Sequence, residues 1–359
     1  MSKDGAGTTD AKGWFLVAPG APLELRALAL EAPGPDDAIV EVFGNGVCHT
    51  DLGFADGGVR TVHPLPLVLG HEVVGRVVAA GDRFASLVGR TVVVPAVLPC
   101  GECALCKLGR GNACPRQKMP GNDVHGGFAT HLRVPAQPLV ALDAAGAVDV
   151  RLFAVVADAV STALQALRRA DARPGQLAVV VGAGGVGGFV VQLAAAMGLA
   201  AVALDVSDAR LELIAQHGAR HTVQTGGREL RDVRDDVQRF ARSVSADTWD
   251  WKIFECAGLP ATQQLAFGLI GRASTMVQVG FTPEKTPLRL SNLMAFDATV
   301  HGTWGCPPEA YPEALAMIRD GRVALEPFVE VRSMGEVNAV LDDMRGHRLT
   351  RRVVLDPRV

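Results

Sequence analysis

Hydrophobic and polar positions fall into two patterns along this chain, and each predicts a different kind of sheet. From residue 14 to about 141, short β-rich runs such as 38–43, 73–79 and Thr91–Val94 are cut by Gly, Pro and Asn. Brief strands between turn residues predict a small barrel-like domain of antiparallel strands with loops inserted. From about residue 161 apolar strands alternate with helical stretches. Leu177–Val181 predicts a strand, 186–197 a helix, and 201–205 a second strand; the next helix opens at Ser207 and Asp208, both good N-cap residues. Further buried strands are predicted at 251–255 and 275–279. That alternation predicts an α/β domain with a parallel, doubly wound sheet. Beyond about residue 303 the pattern is mixed, with a helix near 308–320 and a last strand at 352–355. Residues 1–12, small and polar, predict a frayed terminus. The simplest organisation is a first domain over 1–160 with a lobe near 96–122, a nucleotide-type domain over 161–303, and a return to the first domain over 304–359.

Composition narrows the function classes. The formal net charge is -3 with 20% charged residues and no lysine or arginine run, so no electrostatic footprint for nucleic acid is present. The longest apolar stretches are broken by glycines and fall short of the roughly 20 residues that cross a bilayer. No membrane partner is expected. Thiols used for metal, without a targeting segment, point to a reducing cytoplasm.

Two motifs carry chemistry. Cys100, Cys103, Cys106 and Cys114 stand at C-x2-C-x2-C-x7-C, a spacing that suits tetrahedral S4 coordination of one zinc ion. A disulfide framework or an iron–sulfur cluster are the alternatives, and 7 Cys in 359 residues is too sparse for a stapled fold. The second motif, Gly182-Ala-Gly184-Gly185-Val186-Gly187, follows a predicted strand and opens a predicted helix. In that context the glycines permit a tight turn, backbone approach to a pyrophosphate and close helix–strand packing. Asp205, at the end of the next strand, is placed to accept from ribose hydroxyls and to repel a 2'-phosphate, which favours NAD over NADP. Arg210 lies near enough to soften that preference.

Cys48-His49-Thr50-Asp51 and Gly70-His71-Glu72 sit on successive turns of the first domain. A thiol and an imidazole there, beside a dinucleotide fingerprint, favour a catalytic zinc with an open position. In order and spacing, CHTD, GHE, the four-cysteine lobe and GAGGVG resemble the zinc-dependent medium-chain alcohol dehydrogenases. The resemblance implies a GroES-like β-barrel-type catalytic domain, a Rossmann domain, NAD, and two Zn2+ per chain, one catalytic and one structural. It implies Cys48 and His71 as catalytic-zinc ligands and Glu72 as the acid beside the metal. Where many members carry a cysteine, this chain has Asp158, an oxygen ligand of the same charge that should leave the zinc a stronger Lewis acid. Thr50 resembles the hydroxyl that passes the substrate proton outward. The histidine that often ends that relay is replaced by Gly53. His49 and Arg352 resemble pyrophosphate contacts; Thr162, Val279 and Trp304 resemble nicotinamide contacts.

Longer strings resemble one branch of that family. Residues 117–122 (QKMPGN), 155–161 (VVADAVS), 251–255 (WKIFE), 293–297 (LMAFD) and 302–306 (GTWGC) are similar to dehydrogenases of 6-hydroxycyclohex-1-ene-1-carbonyl-CoA. That similarity implies a small-molecule CoA thioester substrate in anaerobic benzoyl-CoA degradation; because the polarised enone product is itself an acceptor for water, water addition with Glu72 or Asp158 as proton carrier is expected as a second activity. A general zinc alcohol or polyol dehydrogenase shares every shorter motif and stays open, as do a zinc-free reductase and a non-enzymatic NAD-binding sensor. Relatives also imply a homo-oligomer, a dimer or tetramer.

Overall fold

The computed structural model describes residues 10–143, 145–244, 246 and 249–359. They form two compact units. One runs to Asp158 and is completed by Cys306–Leu315 and Val329–Val359. The other comprises Ala159–Gly305 and Ala316–Phe328. The excursion at 316–328, which the sequence pattern does not separate from the returning tail, packs on the second unit. There the Gln192 side chain accepts from Ala324 N (2.8 Å) and donates to its carbonyl (3.3 Å).

The first unit is built on a largely antiparallel sheet. Asp37–Gly46 pairs with Glu72–Ala80, with His131–Pro135 and with Arg352–Asp356, while Thr91–Val94 extends the sheet beyond Glu72–Ala80. The last strand therefore lies against the first half of the chain, and Val329–Ser333 joins it in parallel. Alternation explains the register: Val40, Val42, Val73, Val77, Val92 and Val94 turn inward to one cluster with Leu98, Leu132 and Val134. A second cluster joins Phe15, Leu67, Leu69 and Phe128 to the helix Val337–Arg345 through Val337, Val340, Leu341 and Met344, spaced for one helical face. The frayed terminus expected over 1–12 ends sooner. Ala11 is buried and Lys12–Leu16 is a strand paired with Glu24–Ala27, while residues 1–9 lie outside the described residues.

The second unit holds a six-stranded parallel sheet. Leu177–Val181 lies between Ala200–Asp205 and Lys252–Glu255; Ala219–Gln224 and Thr299–Gly302 form the two edges, and Thr275–Gln278 sits inside the latter. Fully buried strands such as Leu177–Val181 read as continuous apolar runs because both faces are covered. Among the described residues no helix is long and apolar enough to cross a membrane.

Candidate metal centres and cofactor turn

The short helix His49–Ala55 places its Asp51 inward, completely buried. One carboxylate oxygen accepts from Cys48 N at 3.0 Å, and the other accepts from Gly70 N and from His71 Nδ1, both at 3.1 Å. Asp51 thus ties the two turns that carry Cys48 and His71. It also fixes the imidazole tautomer: a proton on Nδ1, directed at Asp51, leaves Nε2 as a lone-pair donor. Asp51 was not singled out in the sequence beyond its place in CHTD. Its signal was the acid three residues after a cysteine at a helix start, which reads equally well as a cap.

Cys48, His71, Glu72 and Asp158 converge, with one ligand atom from each within 4.8 Å of every other. Asp158 Oδ2 lies 3.6 Å from Cys48 Sγ and 3.7 Å from His71 Nε2. Asp158 is placed from behind: the carbonyl of Ala157 accepts from Ala96 N (3.1 Å) and from the buried Tyr311 hydroxyl (2.5 Å). Among the described residues, two buried atoms of the cluster, His71 Nε2 and Glu72 Oε2, have no hydrogen-bond partner. Orphaned buried polar atoms are costly, and a cation between them removes the cost. Tetrahedral zinc with N, O and S donors needs donor separations of about 3.3–3.8 Å. The donor set fits that ion. Burial would lower the His71 pKa, but the carboxylates of Asp51 and Asp158 and the Cys48 sulfur together raise it, another sign of a pocket with surplus negative charge.

Glu72 makes a buried ion pair with Arg352. Burial pushes the Glu72 carboxyl up to about 7 against the pull of that guanidinium. Arg352, expected at a pyrophosphate, has Glu72 as its partner here. Thr50 Oγ1 lies 3.8 Å from Cys48 Sγ. A side chain at Gly53 would meet only Val59, at 3.7 Å, so no steric demand keeps that position bare.

The four lobe cysteines also converge, with Sγ separations of 3.4 Å (Cys103–Cys106), 3.5 Å (Cys100–Cys114), 3.7 Å (Cys103–Cys114) and 4.0 Å (Cys100–Cys106). Zinc–sulfur bonds of 2.3 Å in a tetrahedron put sulfurs about 3.8 Å apart. The backbone at Glu102 and Cys103 holds the Cys100 thiol down to about 6, whereas burial and the neighbouring thiols push Cys106 up to about 12. Four thiolates need a shared cation to occupy this space, and the lobe fits a structural zinc. All seven cysteines are free of disulfides.

In the second unit the Gly182–Gly187 turn joins Leu177–Val181 to the helix Gly187–Ala196. A Cβ on Gly187 would sit 1.8 Å from the Gly182 carbonyl, so only glycine closes this turn. At Gly184 the space is open, with Arg210 Nη1 the nearest atom at 3.8 Å. Asp205 accepts from Ala183 N (2.8 Å) and Ser207 N (2.9 Å), and Arg210 stands 3.9 Å away. A carboxylate has about four lone-pair sites, so two remain for a ribose. Thr162, Val279 and Trp304 belong to this unit, while His49, Thr50 and the four-residue metal cluster belong to the first.

Comparison with known proteins agrees with these two halves. Residues 34–144 match the alcohol dehydrogenase GroES-like domain and residues 185–320 match the zinc-binding dehydrogenase domain. An alcohol dehydrogenase of Geobacillus stearothermophilus is 31% identical over 338 residues, covering 93% of this chain and 95% of that one. The L-galactonate-5-dehydrogenase of Escherichia coli is 28% identical over 304 residues, covering 84% and 85%. The crystal structure of galactitol-1-phosphate dehydrogenase from Escherichia coli superposes with a TM-score of 0.86 at 23% identity, covering 96% of this chain and 100% of that one, a likeness of fold.

Proposed function

This chain belongs to the zinc-type medium-chain alcohol dehydrogenase family, and from that premise we propose that it oxidises a secondary alcohol to a ketone with NAD+ as hydride acceptor. The observation that carries the reading is the cluster of Cys48, His71, Glu72 and Asp158, two of whose buried polar atoms lack a hydrogen-bond partner among the described residues. Zinc, when bound, supplies the Lewis acidity that makes an alcohol proton easier to lose and favours negative charge on its oxygen.

Cys48, His71 and Asp158 would hold the ion, with Asp51 keeping His71 Nε2 directed into the cluster. Arg352 draws Glu72 to one side of the cluster. Thr50 takes the hydroxyl proton, and with Gly53 in place of a histidine the proton leaves through water or the cofactor ribose. NAD+, when bound, would accept the hydride from the carbinol carbon. Asp205 selects NAD by offering its two remaining acceptor sites to the ribose and by repelling a 2'-phosphate. His49 and Arg352 toward the pyrophosphate, and Thr162, Val279 and Trp304 toward the nicotinamide, complete the proposed cofactor contacts.

For the substrate, the relatives' own activities favour the broader reading, an alcohol or polyol. The finer reading, a cyclic alcohol held as a CoA thioester, rests on the strings at 117–122, 155–161, 251–255, 293–297 and 302–306. Water addition to the resulting enone rests on that polarised alkene being an acceptor for water, with Glu72 or Asp158 as proton carrier. The proposal includes a homo-oligomer. Its support is the edge strand Thr299–Gly302, paired on one side only among the described residues, whose Val300 is exposed beside exposed Leu290 and Met294.

The test is NADH formation by zinc-loaded protein offered NAD+ with 6-hydroxycyclohex-1-ene-1-carbonyl-CoA, simple secondary alcohols or polyols. Turnover of the thioester far above the others supports the finer reading, and turnover of alcohols or polyols alone overturns it. No NADH from any of them overturns the dehydrogenase reading. Enone left unchanged without NAD+ removes the hydratase.

A further inference from the structure

Glu255 ends the strand Lys252–Glu255 and is completely buried. Its carboxylate is surrounded by donors. Oε1 accepts from Ala257 N at 3.0 Å and Gly258 N at 2.8 Å, and the Thr262 hydroxyl lies 2.8 Å away. Oε2 accepts from Gln278 Nε2 at 2.5 Å, and the same amide group donates to the Gly280 carbonyl at 2.6 Å. The Glu255 backbone carbonyl takes the amides of Val279 and Gly280 at 2.9 and 3.0 Å. One residue therefore gathers the turn after its own strand and the turn after the neighbouring strand.

Those two turns touch each other and the dinucleotide turn. A Cβ on Gly280 would fall 2.2 Å from Gly258 N, and one on Gly182 would fall 2.8 Å from Ala257 Cβ. Cys256 N donates to the Val181 carbonyl, the last residue before the glycine turn. The carboxyl ends of three adjacent parallel strands are thus locked in series, from Gly182 through Ala257 and Gly258 to Val279 and Gly280. In an open α/β sheet this is the edge that holds ligands.

We propose that Glu255 is a positioning residue for the cofactor: its carboxylate sets the spacing between the pyrophosphate turn at Gly182–Gly187 and the nicotinamide-side backbone at Val279–Gly280. The inference rests on the NAD reading above and adds to it a residue that does not touch the cofactor. A carboxylate is suited to the place because it is acceptor-only. An amide there must turn its NH2 toward one of the surrounding donors, so even an isosteric change breaks the lock.

The test compares wild type, Glu255→Gln and Gln278→Leu as zinc-loaded protein. The affinity for NADH is read by fluorescence, KM for NAD+ and kcat by steady-state kinetics, and stability by thermal melting. The expected result is a rise of about tenfold or more in NADH Kd and NAD+ KM for Glu255→Gln, the scale of one charge-assisted hydrogen bond. A smaller rise is expected for Gln278→Leu, which cuts only the link to the second turn. In both, kcat at saturating NAD+ stays within about threefold of wild type, since the zinc ligands are untouched. Unchanged NADH affinity in both variants, with or without a lower melting temperature, overturns the inference and leaves the NAD reading standing. A wild type without affinity for NADH overturns both.

Discussion

Arg352 and Glu72, 280 residues apart in sequence, meet as a buried ion pair at the edge of the metal cluster. Glu72 Oε1 is satisfied by the guanidinium, while among the described residues Oε2 and Arg352 Nε have no hydrogen-bond partner. The pair balances charge in a pocket that already holds Cys48, Asp51 and Asp158. Removing Arg352 takes away the cation that favours the ionised carboxylate, so Glu72 takes up a proton and the loss stays below the roughly 3–5 kcal/mol of a buried charge left alone. Arg352→Ala should therefore destabilise the apo protein by less than that in urea unfolding, and the double variant Arg352→Met with Glu72→Leu should recover most of it. Equal losses in the single and double variants would show that the two do not act as a pair.

Asp51 acts on His71 rather than on substrate. Asp51→Asn can still accept from Gly70 N but loses the carboxylate that fixes the imidazole, and loss of such a partner typically weakens zinc binding 10–100-fold, on the order seen for outer-shell residues. Titration with a competing chelator should show one zinc weakened by roughly that factor while the lobe zinc is unchanged. Two zincs with wild-type affinity would remove Asp51 from the site.

Asp158 distinguishes this cluster from relatives with a cysteine in its place. Asp158→Ala should keep the lobe zinc, lose or weaken the second and lose NADH formation, whereas Asp158→Cys should restore metal retention. Elemental analysis beside turnover reads both. Full activity in Asp158→Ala would assign the carboxylate to the helix start rather than to the metal.

Acid stability should depend on Asp356. Its side chain is 2% exposed and bonds Arg151 and Arg358 at 3.0 Å. Burial would raise its pKa, but hydrogen bonds from Arg358 and Arg151 win and hold it below the usual carboxylate range. The ionised form therefore contributes stability above the unfolded value of about 3.9. That contribution is lost as pH falls through the lower folded value. Relative to wild type, Asp356→Asn should be destabilised near neutral pH, with the difference shrinking to nothing in strong acid. A difference that stays constant with pH would assign the effect to packing.

Much of this was legible before folding is considered. Leu177–Val181 and Thr91–Val94 are apolar runs between turn residues and form the strands that pattern implies. The lobe cysteines are close in sequence, so spacing alone brings them together. Cys48 and His71 were legible as a thiol and an imidazole on successive turns beside a dinucleotide fingerprint, but Asp158 was reachable only through resemblance; the antiparallel pairing of Asp37–Gly46 with Glu72–Ala80, not local spacing, sets Cys48 and His71 side by side. Long-range partners were hidden for the same reason. Asp51 reads as a helix-start acid, Arg352 as a residue opening the last strand, and Glu255 as the polar end of a buried strand. The pattern reading beyond residue 303 did not single out Val337–Arg345, a helix that follows a strand whose parallel partner, Arg352–Asp356, lies beyond it in sequence. Thr299–Gly302 is mostly exposed and lacked the apolar run that marks the inner strands.

The central claim is that Cys48 grips a zinc on which turnover depends. Zinc per chain and NADH formation, measured side by side on metal-replete wild type and Cys48→Ala, test it most directly. The account predicts two zincs and turnover for wild type, and one zinc with no turnover for the variant. Two zincs and undiminished turnover in Cys48→Ala would contradict it.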